Sequence, residues 1–97
     1  MHKPKFLIVK GTSMYPIIKN NDIVFYEEQS SYNIDDIVIV KLNTCFCHRI
    51  INHSSNKEFY LLKGDNVLNN DGWIRNTCII GKVISIKHVK WSNILFL

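Results

Sequence analysis

The sequence predicts a mostly β domain, a small barrel or a coiled sheet. Three observations lead there. Apolar residues almost never recur at the three-and-four spacing of an amphipathic helix. Short runs of β-branched and aromatic residues dominate instead, as in "KFLIVK", "DIVFYE" and "DIVIVKL". Between them stand clusters rich in Asn, Asp, Ser and Gly, residues that turn a chain: "KNND", "EEQSSYN", "LNT", "NHSSNK" and "GDNVLNNDG".

In order, the runs predict strands over 5–10, 22–27, 36–42, 45–52, 57–63 and 78–90. The first ends at "GTSMYP", where Gly11 and Pro16 suit a turn. Within "SMYPII" there is room for one helical turn and no more. "DIVIVKL" is apolar on both faces, so it belongs at the centre of the sheet. In "CFCHRII" alternation puts His48 on the face of Phe46 and Ile50, opposite Cys45 and Cys47. "VISIKHVKW" alternates more clearly and reads as long and half exposed. No repeat or linker divides the chain, and its 97 residues suit one domain, 1–97, with a single modest core.

Composition narrows the class. With 46% hydrophobic and 21% charged residues, the chain is ordinary for a globular protein and unlike a disordered one. The net charge of +4 permits contact with nucleic acid or an anionic membrane surface without demanding it. The lysines are scattered, and the aromatics do not interleave with basic residues as an RNA-binding sheet requires, so no nucleic-acid partner is expected. The longest apolar runs, "FLIV", "IVIV" and "ILFL", are four residues each. A spanning helix needs about 20. The N-terminus lacks the pattern of a signal peptide. These features lead to an expectation of a soluble, cytoplasmic protein with no transmembrane segment.

The three cysteines, Cys45, Cys47 and Cys78, make a poor disulfide framework and are expected as reduced thiols. The Cys-x-Cys-His spacing is wrong for a zinc knuckle, and a strand sends His48 away from the thiols. No Gly-rich phosphate loop is present. No metal and no cofactor are expected.

The candidate chemistry lies in three places. Ser13 follows an extended segment and sits in a turn, where its hydroxyl can be exposed and nearby backbone N–H groups can face a developing oxyanion. The same hydroxyl would also suit a turn that has no chemistry. His48 lies within an apolar strand, as a satisfied core histidine or as a base. Asp65 and Asp71 lie in one polar loop, where turn geometry alone would favour them, but either could orient a histidine.

Taken together, these pieces resemble the signal peptidase I and S24/S26 serine peptidase superfamily. "GTSMYPIIKNNDIV" resembles its nucleophile box. "DDIVIVKL" is similar to the strand that follows, with Asp35 where Gly is usual. "CHRII" resembles the His-Arg box, "LLKGDNVLNND" the Lys-Gly-Asp-Asn box and "IIGKVISI" the closing strand. The five boxes occur in family order and cover nearly the whole chain. The resemblance implies the small coiled-sheet catalytic core of that superfamily, in a soluble minimal form. It also implies the histidine-base branch, typical of endoplasmic-reticulum-type and archaeal enzymes, because the His-Arg box supplies His48. Ser13 is then the nucleophile and His48 the general base. Asp71, six residues after Asp65, is the orienting carboxylate, and Asp65 supports the loop or the site. The position two before the nucleophile, often Ser in signal peptidases, is Gly11, so backbone N–H groups, including that of Ser13, must serve the oxyanion.

The expected reaction is acyl transfer on an extended peptide or preprotein, with a signal or leader segment removed. Substrate is expected to add to the edge strand around Phe6 to Lys10, beside Gly11. Met14 and Pro16 are expected to shape the pocket. The competing expectation is a non-catalytic or regulatory peptide-binding domain on the same scaffold, like the C-terminal half of self-cleaving repressors. Such domains use lysine as base.

Overall fold

The structure is a computed structural model and describes residues 5–90. Its strands are β1 (Lys5–Ile8), β2 (Ile23–Glu27), β3 (Ile37–Lys41), β4 (Cys45–His53), β5 (Phe59–Lys63), β6 (Trp73–Arg75) and β7 (Ile79–Lys87). All seven join one sheet in the order β1-β2-β7-β3-β4-β5-β6, and every neighbouring pair is antiparallel. The expected mostly β class is therefore correct. A single 3-10 turn, Asn76–Cys78, links β6 to β7.

The apolar pattern explains the layout. β3 lies between β7 and β4, and its Val38, Ile39 and Val40 are all fully buried. Alternation sends Val38 and Val40 to one core cluster, with Tyr32, Ile50, Tyr60, Leu62 and Ile79. Ile39 goes to a second cluster on the other face, with Val9, Met14, Ile18, Val24 and Cys47. Each such Val, Leu or Ile side chain contributes about 1.5–3 kcal/mol when fully buried. Register shifts break the ladders in β2–β7, β3–β7 and β4–β5, and such bulges add local twist. The sheet consequently curls. β2, β7 and β3 separate β1 from β4, yet residues of β1 and β4 line one groove.

The boundaries differ from expectation where turns capture the chain. β1 stops at Ile8 because Val9 bonds to a turn instead of a strand: its N–H donates to the Asp22 carbonyl at 2.9 Å, and its own carbonyl accepts from Asn21 N–H at 2.7 Å. The "NHSSNK" turn runs through Lys57, at φ 56°, so β5 begins at Phe59. β6 was not expected. β7 is long and half exposed, as its alternation predicts, but ends at Lys87, and the "ILFL" run lies outside the described residues. In "SMYPII", the Ile18 N–H bonds to the Met14 carbonyl at 3.0 Å, a single helical turn. Asp35 adopts φ 79°, a left-handed conformation natural to Gly and tolerated by Asp.

Candidate active site

Three segments converge at Ser13, which lines the groove. The first is the turn that follows β1. Gly11, at φ 94°, reverses the chain where a side-chain-bearing residue would be strained. Two flanking elements grip this turn. On one side, the Gly11 N–H donates to Asn20 Oδ1 at 2.8 Å and Lys10 Nζ to Asn21 Oδ1 at 2.6 Å. The 19–22 turn that supplies them is closed by the buried Asp22, whose carboxylate accepts the Lys19 N–H at 2.7 Å and meets His88 Nδ1 at 2.6 Å. Burial pushes the Asp22 carboxyl upward, but these bonds outweigh it and hold the group below its usual range. On the other side, Asn66 donates its N–H to the Ser13 carbonyl at 2.8 Å and its Nδ2 to the Thr12 carbonyl at 3.1 Å. Ser13, half-buried, is thus fixed through its backbone and lines the groove.

The second segment is β4. His48 lies on the face of Phe46, with ring centroids 5.0 Å apart, and only 8% of the residue is exposed. Its Nε2 lies 3.0 Å from Ser13 Oγ, and its Nδ1 lies 2.5 Å from Asp71 Oδ2. The third segment is the loop after β5. The Asp71 N–H bonds to the Leu62 carbonyl at 2.8 Å, which fixes the carboxylate against the imidazole. Ser13, His48 and Asp71 therefore form one continuous hydrogen-bonded relay, the geometry of a nucleophile, a base and its orienting group.

Asp65 stands apart from that relay. It forms a two-pronged pair with Arg49, from Nε and Nη2, each at 2.8 Å, and Arg49 Nη1 reaches the Asp35 carbonyl at 2.9 Å. The Arg49 guanidinium holds the Asp65 carboxyl below the usual range, against the opposing effect of burial, and Asp65 in turn raises Arg49. Asp65 thus ties the loop to β4 and does not touch the imidazole. Gly64 packs so closely that a side chain there would collide with the Ser13 carbonyl and the His48 ring.

The groove beside Ser13 has a volume of about 90 Å³ and is lined by Leu7, Ile8, Val9, Lys10, Ser13, Cys45, Phe46 and Cys47. Lys10 is on its wall. Met14 is not. It is 1% exposed, part of the second core cluster, and its sulfur accepts the Asp65 N–H at 3.3 Å. Its part is to anchor the turn, so the expected contact with substrate is corrected. Pro16 is exposed and also lies outside the groove wall. All three cysteines are free thiols, and burial pushes Cys47 up to about 11, which leaves it an unreactive apolar lining. Among the described residues no cluster of His, Cys, Asp and Glu could hold a metal ion. Among them, too, no helix is long and apolar enough to cross a membrane.

The curled antiparallel sheet thus brings Ser13, His48 and Asp71 together, with Ser13 on the groove wall. Residues 2–84 match the family described as Peptidase S24-like, and the chain belongs to that family. In a search of curated proteins, none matched significantly.

Proposed function

We propose that this protein is a serine endopeptidase that removes a signal or leader segment from an extended peptide substrate. One observation carries the reading: the unbroken relay from Ser13 Oγ through His48 to Asp71, at 3.0 and 2.5 Å. Ser13 Oγ attacks the scissile carbonyl while His48 Nε2 takes its proton. Asp71 holds the ring so that Nε2 faces the serine, and it stabilises the imidazolium that forms. The imidazolium then gives its proton to the leaving amine. Water, activated by the same imidazole, hydrolyses the acyl-enzyme and releases the serine. The Ser13 N–H has no acceptor among the described residues and is available to the oxyanion. Histidine as the base, in place of lysine, belongs to this proposal. Lys63, the last residue of β5, gives its Nζ to the Gly64 carbonyl at 3.2 Å.

The sheet supports an extended substrate. β1 is an edge strand. β5 pairs with β4 only from Arg49 onward, so among the described residues the opposite edge of β4 over Cys45–Cys47 has no strand partner. A peptide laid between these two edges would find main-chain partners on both sides and would present its carbonyl to Ser13. Its direct test is incubation with a library of proteome-derived peptides, with new termini read by mass spectrometry. Cleavage by the parent and none by Ser13→Ala supports the reading, whereas equal cleavage by both would remove Ser13 from the mechanism.

A further inference from the structure

The charges around the groove are unequally compensated. The acidic side chains near the nucleophile are engaged internally, Asp65 by Arg49 and Asp71 by His48. Two lysines at the groove, Lys10 and Lys41, have no such charged partner among the described residues. Lys10 lines the groove beside Ser13, and its Nζ is held at 2.6 Å by the amide oxygen of Asn21, a partner without charge. Lys41 stands directly across the β3–β4 ladder from Cys45, a residue of the groove wall. Facing residues of an antiparallel pair share a face of the sheet, so Lys41 flanks the groove on the side of Cys45 and Cys47. Neither lysine has a carboxylate within ion-pair distance among the described residues. Between them the wall is apolar or uncharged: Leu7, Val9, Phe46 and Cys47.

From this arrangement we infer that Lys10 and Lys41 are specificity-determining residues that select substrates carrying acidic side chains on the segment that occupies the groove. The inference rests on the peptidase reading and adds the charge class of its substrate. An apolar trough bounded by two uncompensated cations attracts a strand of apolar residues with carboxylates near the nucleophile and near Cys45. A lysine or arginine at those positions would be repelled. Lys10 is the better fixed of the two, because its bond to Asn21 restrains the side chain before substrate arrives, and it loses less freedom on pairing.

The test measures binding and cleavage separately. Short extended peptides differing only in Gln, Glu or Lys at single positions are titrated against the Ser13→Ala protein, whose groove is intact. Glu peptides should bind about five-fold more tightly than Gln peptides at one or two positions, the upper range for an exposed ion pair, and Lys peptides more weakly still. The preference should shrink as salt is raised. It should vanish when Lys10→Gln and Lys41→Gln are added, and Lys41→Glu should invert it at one position. Circular dichroism confirms that these exposed substitutions leave the sheet folded. Equal binding of all three peptides, absence of saturable binding, or an unchanged preference in the double variant overturns the inference. Parent protein that cleaves Glu and Gln peptides at the same rate also overturns it, while leaving the peptidase reading intact. Glu-selective binding with no cleavage would do the reverse.

Discussion

A single methyl group at position 64 should disable the site. A Cβ on Gly64 would lie 2.8 Å from the Ser13 carbonyl oxygen, 2.9 Å from Val67 Cγ2 and 3.0 Å from His48 Nε2. Each separation falls short of ordinary contact by roughly half an ångström. The Val67 methyl can rotate away. The Ser13 carbonyl has less freedom, because the Asn66 N–H holds it at 2.8 Å, and the imidazole is pinned at Nδ1 by Asp71. Relief must therefore come from moving the nucleophile, the base, or both. Misplacement on this scale costs about 10²-fold in rate, and the overpacking costs about 1–3 kcal/mol of stability. Gly81→Ala is the control. There a Cβ would lie 2.5 Å from Tyr26 Cδ2 and 3.1 Å from the Glu27 carbonyl oxygen, in the β2–β7 region and not at the triad. It should lower stability at least as much while leaving the chemistry of the folded fraction intact. The assay is the rate of Ser13 acylation by a fluorophosphonate, measured beside the urea midpoint for each variant. A Gly64→Ala protein that reacts at the parental rate would refute the reasoning, because the nucleophile and base would then not depend on that contact.

Three further outcomes follow from the same geometry. Asp71→Asn should lower turnover by roughly 10³ to 10⁴ with little change in urea midpoint, by analogy with the third member of serine-protease triads, and parental turnover would remove Asp71 from the relay. Asp65→Asn should act through stability, at about 1–2 kcal/mol, because it breaks a two-pronged charged pair and not a contact with the imidazole. Since the folded Asp65 carboxyl lies below its unfolded value, that contribution is complete above the unfolded pKa of about 3.9 and fades as pH falls through the lower folded value, so parent and variant midpoints should converge in strong acid. Asp35→Gly should leave stability unchanged or raise it by up to about 1 kcal/mol, because the residue is exposed at φ 79°, and a clear loss in urea unfolding would show that the Asp35 side chain has a role beyond its backbone.

Much of the fold is legible in the chain because burial pattern and strand position coincide. "DIVIVKL" is apolar on both faces and becomes the central β3. Alternation in "CFCHRII" correctly sets His48 with Phe46 and Ile50 and apart from Cys47. β6 is three residues long, too short for any alternation to register, and it follows the turn-forming "NNDG". The positive φ of Asp35 is likewise announced by no local pattern. In the site, the two aspartates of one loop look alike in sequence, and tertiary pairing separates them: Asp65 meets Arg49 from β4, Asp71 meets His48. The grip of Asn20, Asn21 and Asn66 on the nucleophile turn was not legible, because each asparagine already suits a turn of its own. Met14 was misread for a related reason. A residue next to the nucleophile in sequence can still point into the core, and here the turn buries it.

The account stands on Ser13 being activated by His48, and covalent labelling tests that most directly. Purified protein is incubated with a fluorophosphonate, and the adduct is weighed and mapped. One probe per chain is expected, attached to Ser13. Labelling should be lost in His48→Ala and retained in Lys63→Met. No adduct on Ser13, or labelling that survives His48→Ala and disappears with Lys63→Met, would contradict it.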